Sequence, residues 1–479
     1  MKLKENKIFR WTIIPLCILL MFFTRFIPAP DGMTQDAMGV IGIFVGSIIL
    51  WLTIGIDWPS LLCIFALGLL ENLKFTDVLS SSFGNETFLF LLFTFICTYA
   101  ISKTPLIKRI AIWFVSNKLA KKSGWWLSIM FLTSVLILGL FISPSVLFVI
   151  LLPILNQIFE IAKIEKGEKI GKMLMMGLAF TVSISSGMTP IAHVFPILAL
   201  NAANVQVSYG IYMLFAIPVG LIVFGLMLLS FRFILKPDTT KLNNIDLSQM
   251  KNELPKVNKE EIISLCVFLF VILLWVGISL TQNFANEFYT NYLKQYANAL
   301  PPILGTLILC IVRVDKKPLL KIDDAFKNGV PWSSLVMCAG TLALSSALTN
   351  KSIGIQTVLE NSLQTALAGV PAILLLIIFV VWATVQTNVS SNMVTAQLVS
   401  SVAAIVLASS TLSIPAVASI IGMLSAFAFA TPPSMPHIAI AIGSDYANTK
   451  DMLLYGGILM LIAIIISCVV GYPLASLVM

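Results

Sequence analysis

Charge is what this sequence has least of. Of its 479 residues, 30 are Lys or Arg, 22 are Asp or Glu and two are His. Hydrophobic residues make up 58%, and the mean hydropathy is +0.98. A soluble protein of this length has too little interior to hide that much apolar surface. Nothing in the chain reads as a Walker motif, which argues against an ATP-driven pump, and no catalytic grouping of side chains is visible. The seven cysteines have no paired spacing and fall mostly in apolar runs, as Cys63, Cys97, Cys266 and Cys310 do. They read as small packing residues and leave the redox compartment open.

What is there is a series of apolar runs long enough to cross a bilayer as helices. Candidate spans are 11–28, 36–53, 56–72, 84–102, 124–142, 174–200, 208–234, 262–281, 299–313, 330–349, 370–387, 414–440 and 452–476. The fold class expected is an all-α polytopic membrane protein. Lys2, Lys4, Lys7 and Arg10 precede the first run, which closes on no small-residue cleavage site. It reads as a retained helix with a cytoplasmic N-terminus. The formal charge of +8 sits in loops, at Lys118–Lys122, Lys163–Lys172 and Lys236–Lys259. Anchoring against anionic lipid accounts for it without nucleic acid.

The two halves echo each other. Phe141-Ile-Ser-Pro-Ser145 is followed about 40 residues later by Gly187-Met-Thr-Pro190. Val389-Ser-Ser-Asn-Met393 is followed about 40 residues later by Ala430-Thr-Pro-Pro433. Ahead of each pair, an apolar span ends in a basic, hydroxyl-bearing turn, at Ile101–Ile107 and Leu348–Gly354. The short apolar pieces 146–158 and 394–410 suit second arms of re-entrant hairpins whose tips hold the polar runs. Duplicated halves with broken helices are a recurring plan of secondary transporters, and an odd number of crossings per half inverts one against the other. The division expected is an N-terminal repeat with leading helices (1–235), a cytoplasmic linker (236–261) and a C-terminal repeat (262–479). The linker carries Pro237, Pro255, five lysines and five acidic residues.

Non-helical backbone at membrane depth survives only inside protein or beside a watery cavity. Pro144 withdraws a backbone donor between Ser143 and Ser145, which leaves either a kinked helix with self-bonded serines or a ligand-facing tip. The run Gln386 to Asn392 holds six polar residues in seven positions, too many for a lipid-facing helix. Breaks at Thr189-Pro190 and Thr431-Pro432 expose N–H groups at one helix end and C=O groups at the other, suited to anions and cations respectively. No Asp or Glu lies between Lys327 and Leu359, or between Glu360 and Asp445. That disfavours a buried acidic proton relay and leaves a cation to neutral oxygens, which suits Na+. His193 and His437 follow the two breaks at similar distances. Each is either a satisfied interhelical group or, His193 above all, a pH-sensitive one.

At these residues the chain resembles the divalent anion/sodium symporter family, the sodium-coupled dicarboxylate and sulfate transporters, over nearly its whole length. That family carries Ser-Asn-Thr at each hairpin tip. Ser143-Pro-Ser145 and Ser391-Asn-Met393 are similar to those tips, and Ser185–Ile191 and Ala426–Pro433 to the two breaks. The resemblance implies a homodimer in the plasma membrane, each protomer with a scaffold and a transport domain moving as an elevator. It implies substrate contacts from Ser143, Ser145, Ser391, Asn392, Thr431 and Pro432. For coupling Na+ it implies Ser143, Gly187 and Thr189 in the first half, and Thr387, Asn392 and Ala430 in the second. The departures are Pro144 for asparagine, Met393 for threonine, and Ile191-Ala-His193 for the family's Ile-Gly-Thr. The reading reached is Na+-coupled symport of a small di- or tricarboxylate or sulfate-like anion, with no enzymatic activity and no cofactor. The alternatives are an anion exchanger or proton-coupled carrier of the same fold, and a non-transporting membrane scaffold or sensor.

Overall fold

The computed structural model describes residues 7–243, 245–281, 299–350, 352–355, 358, 370–408, 410–432 and 434–479. Lys2, Lys4 and Pro433 lie outside the described residues. Helices dominate, as the apolar runs require. Three helices lead the chain: α1 (Lys7–Phe23), α2 (Gln35–Thr53) and α3 (Asp57–Leu67). The first half continues with α4 (Phe75–Ser81), α5 (Glu86–Ser102), α6 (Leu106–Ser116), α7 (Gly124–Gly139), α8 (Pro144–Ile161), α9 (Lys169–Met188), α10 (Phe195–Ala202) and α11 (Tyr209–Ser230). The second half opens with α12 (Lys259–Thr281) and α13 (Leu300–Ile311). It then runs α14 (Ile322–Asn328), α15 (Trp332–Leu348), α16 (Ala372–Val389), α17 (Asn392–Leu407), α18 (Ile414–Ala426), α19 (Pro436–Gly443) and α20 (Thr449–Ile466).

The same order of elements therefore occurs twice. A bent pair opens each series, α4 with α5 at 41° and α14 with α15 at 80°. A hairpin of two helices follows, then a helix broken near its middle, then a long closing helix. Asn85 caps α5 by accepting the N–H of Thr87 at 2.9 Å, so Asn85-Glu-Thr87 is the polar entry of a helix.

The runs 174–200 and 414–440, each expected as one span, are both broken. α9 gives way to α10 across Thr189–Val194, and α18 to α19 across Phe427–Met435. The second unwinding begins four residues before Thr431, earlier than the Thr-Pro pattern alone suggests. The run 56–72 shortens to the 11 residues of α3, and α6 is a helix that the hydropathy pattern left out.

Packing interlocks the halves. α10, from the first half, lies against α17 and α18 of the second, and α19, from the second, lies against α8 and α9 of the first. Small residues set these approaches. A Cβ on Gly422 would stand 2.7 Å from the Cα of Pro196, and one on Gly187 would stand 2.8 Å from the carbonyl oxygen of Met423. The polar linker is fastened rather than loose. Leu242, Leu247 and Met250 are buried, Asn243 Oδ1 accepts the N–H of Gly124 at 2.6 Å, and Arg109 grips Glu261 through two nitrogens at 2.6 and 3.0 Å. Surface pairs contribute little to stability; this one is forked, and its carboxylate is 3% exposed.

The Gly422 approach is testable. Gly422→Ala must push α10 from α18, whereas Gly225→Ala meets open space and gains helix propensity of about 0.5–1 kcal/mol. Thermal unfolding in detergent should show a lower midpoint for Gly422→Ala and an unchanged or higher one for Gly225→Ala; equal midpoints would remove the close-packing argument.

Candidate functional site

At the first hairpin tip, Pro144 is the first residue of α8. The N-terminal position needs no N–H, so the proline starts a helix rather than kinking one. Ser143 is its N-cap by position but makes no side-chain cap bond, which leaves its hydroxyl available. Ser145 is exposed one turn edge further on. The tip is tied to the break behind it, because Thr189 Oγ1 donates to the carbonyl of Leu140 at 2.5 Å. Gly187 turns its carbonyl to the Tyr212 hydroxyl at 2.6 Å.

The second half repeats this tie and adds to it. Thr431 Oγ1 donates to the carbonyl of Asn388, as Thr189 does to Leu140. Asn388, 1% exposed, then does what Leu140 cannot. Its Oδ1 accepts the N–H groups of Phe429 at 2.7 Å and Ala430 at 2.9 Å. Its Nδ2 donates to the carbonyls of Thr384 at 2.9 Å and Phe427 at 3.0 Å. One amide thus replaces the helical partners that the unwound segment 427–430 has lost. Thr387 Oγ1 adds a bond to the carbonyl of Ser425 at 2.7 Å. From the first half, Ser183 donates to the carbonyl of Ala428 at 2.7 Å.

Both tips and both breaks open on one cavity of about 670 Å³. Ser143, Ser145, Ser391, Asn392, His193 and Ser434 line it, as do Gly55 and Ile56 of the α2–α3 turn and Pro331 and Ser334 at the start of α15. Residues at the N-terminal ends of α8, α10, α17 and α19 all reach this wall. Each such end carries free N–H groups and partial positive charge. Among the described residues, no Asp, Glu, Lys or Arg lines the cavity. Asn392 is 4% exposed, and neither its Oδ1 nor its Nδ2 has a partner among the described residues. Leaving an amide so costs about 1–3 kcal/mol, a penalty that a ligand accepting and donating there would lift.

The profile of the sodium:sulfate symporter transmembrane region matches residues 8–479. The chain belongs to the sodium:sulfate symporter family. It is accordingly a multi-pass membrane transporter and not an enzyme. Among similar proteins, a sodium-dependent dicarboxylate transporter of Staphylococcus saprophyticus is 24% identical over 497 residues, covering 98% of this chain and 92% of the relative. The Staphylococcus aureus transporter of the same description is 25% identical over 463 residues, covering 91% and 87%. The crystal structure of the Alcanivorax borkumensis YdaH transporter, described as having an unusual topology, superposes with a TM-score of 0.58 over 97% of both chains at 14% identity. That last likeness is one of fold.

Within this symporter frame, the residues singled out from the sequence separate into two groups. Ser143, Ser145, Ser391, Asn392 and His193 share the cavity wall. Thr189, Thr387, Thr431, Gly187 and Ala430 stand behind it, with a hydroxyl, carbonyl or N–H already bonded within the protein; Pro432 is half-buried and off the wall. The two histidines part company. His193 lines the cavity, while His437 is buried and bonded through Nε2 to Ser183 at 2.8 Å. Ser334, Ser434 and the turn at Gly55 escaped the sequence reading. None belongs to a repeated motif, and only packing brings them to the site.

The two asparagines should behave oppositely. Asn388→Ala strands the N–H groups of Phe429 and Ala430 and should lower unfolding stability by about 2–4 kcal/mol. Asn392→Ala removes two unpartnered buried atoms and should leave the melting midpoint unchanged or raised, while abolishing ligand-induced stabilisation. A fall in intrinsic stability on Asn392→Ala comparable to that on Asn388→Ala would contradict the division.

Proposed function

We propose that the protein carries a small divalent anion, a dicarboxylate, across the plasma membrane in symport with Na+. The convergence of four helix N-termini on a cavity with no charged side chain among its described lining residues carries this reading. Partial positive charge from several backbones attracts a dianion without a fixed cation that would hold it too tightly for release. The relatives' dependence on sodium and their dicarboxylate substrates support the same class for this chain.

In this scheme Ser143, Ser145, Ser391 and Asn392 contact the carboxylates, and Thr431 and Pro432 shape the second break beneath them. The coupling cation sits in the second half among oxygens from Thr387, Asn392 and Ala430. The corresponding set in the first half is Ser143, Gly187 and Thr189. Neutral oxygens at both places suit a monovalent ion. The cation and the dianion occupy neighbouring ground, so binding of one lowers the electrostatic cost of the other.

The duplicated series corresponds to repeats 1–235 and 262–479 of opposite topology, joined by the linker 236–261, with the N-terminus in the cytoplasm. The hairpins and broken helices form a transport domain that moves as an elevator against a scaffold built from the remaining long helices. Two copies assemble as a homodimer through their scaffolds.

Uptake into proteoliposomes decides the matter. An inward Na+ gradient should accumulate a four-carbon dicarboxylate, K+ should not replace Na+, and Asn392→Ala should abolish uptake. Equal uptake with and without the Na+ gradient would remove symport and leave exchange. A cysteine at Ser145 should react with a water-borne thiol reagent and be protected by the transported anion; failure of every anion to protect would move the site elsewhere.

A further inference from the structure

α8 and α17 begin at equivalent places, but with unlike residues. Asn392 opens α17 with an amide at the cavity, and Pro144 opens α8 with no polar side-chain atom. What the first half brings to the wall instead is His193. Its Nδ1 accepts the N–H of Val194 at 3.0 Å, and its ring stacks on Phe195 with centroids 3.8 Å apart and planes 27° apart. A ring nitrogen that accepts carries no proton, so the neutral imidazole holds its hydrogen on Nε2. That nitrogen has no partner among the described residues.

We propose, resting on the transport reading above, that His193 Nε2–H is a hydrogen-bond donor to the carried anion. It supplies from the first half the contact that the Asn392 amide supplies from the second, and so helps set which anions are accepted. It acts as a neutral donor. Protonation at Nδ1 would turn an acceptor toward an N–H group and break the Val194 bond. Among the described residues, no carboxylate, lysine or arginine lines the cavity to bias that step. Helices α15, α17 and α18, which pack on α10, carry only the buried Cys338 as a titratable group. The remaining neighbour is His437. The one hydrogen of Ser183 goes to the Ala428 carbonyl, so His437 donates to Ser183 from its own Nε2, and its buried Nδ1 has no acceptor among the described residues to receive a second N–H. The donor's contribution should therefore stay constant across neutral pH.

The test compares His193→Ala, His193→Asn and wild type in proteoliposomes, with a four-carbon dicarboxylate as probe. His193→Ala should raise KM about tenfold or more, the usual worth of one hydrogen bond to a charged group, with maximal rate and melting midpoint retained. His193→Asn, which keeps an N–H donor, should recover most of the affinity. The wild-type KM should be flat between about pH 6.5 and 8.5. A wild-type KM in His193→Ala would overturn the proposal, as would a KM that titrates in wild type and becomes flat in His193→Asn. Should His193→Ala fold poorly, carbethoxylation of the wild-type chain read by mass spectrometry serves instead: the dicarboxylate should protect His193, and unprotected modification overturns the assignment. Absence of any uptake or thermal shift in wild type would sink the transport reading together with the donor role, whereas intact wild-type uptake beside an indifferent His193→Ala sinks the donor role alone.

Discussion

The side chain of Asn388 is the constraint on which the site depends. Unwinding a helix at membrane depth strands backbone donors and acceptors where water cannot reach them, at a cost of several kcal/mol. A primary amide is the one uncharged side chain that can give two hydrogens and accept two. Asn388 uses that full capacity on Thr384, Phe427, Phe429 and Ala430. The irregular segment is thereby held as firmly as a helix would be. The carbonyls around Ala430 and the tip residue Asn392 are positioned by it, since Thr431 ties the same segment back to the Asn388 backbone.

The first half reaches a related geometry with fewer parts. Thr189 makes the same tie to Leu140, yet Leu140 has no amide, and α9 stays helical up to Met188. The irregular stretch is correspondingly shorter. A related backbone task is thus met by two chemistries, hydroxyls alone in the first half and hydroxyls plus an amide in the second. The halves differ in the electrostatic surface they present, although their elements follow one order. Helix ends supply the polarity common to both, and side chains supply the differences.

Much of this was legible in the sequence, and what was not has physical causes. The apolar runs, the two polar tips and the two Thr-Pro breaks are local signals that survive in one dimension, because each reflects a backbone rule. The division of labour between Asn388 and Asn392 is not local. They stand four residues apart in one polar run, and nothing in their identity says that one amide is saturated and the other free. That follows from where Phe427–Ala430 folds back, roughly 40 positions later in the chain. The cavity lining at Gly55, Pro331 and Ser334 was equally hidden, since no repeated motif marks these residues and only packing brings them to the cavity. The start of unwinding at Phe427 instead of Thr431 belongs to the same class: proline marks where a helix cannot continue, not where it stops.

The exchange of short helices between the halves bears on how the protein is made. α10 leaves the ribosome without its seat, for α17 and α18 have yet to be synthesised. Roughly 200 residues separate α10 from the end of α17, on the order of 10 to 40 s of chain elongation. Through that interval an eight-residue helix with a buried face must wait unpartnered in the bilayer, guarded by lipid or by an insertion factor. The first half is therefore not a finished unit to which a second was added. Its completion is deferred until its counterpart arrives, and a chain truncated between them would carry an exposed, incomplete half that quality control can recognise.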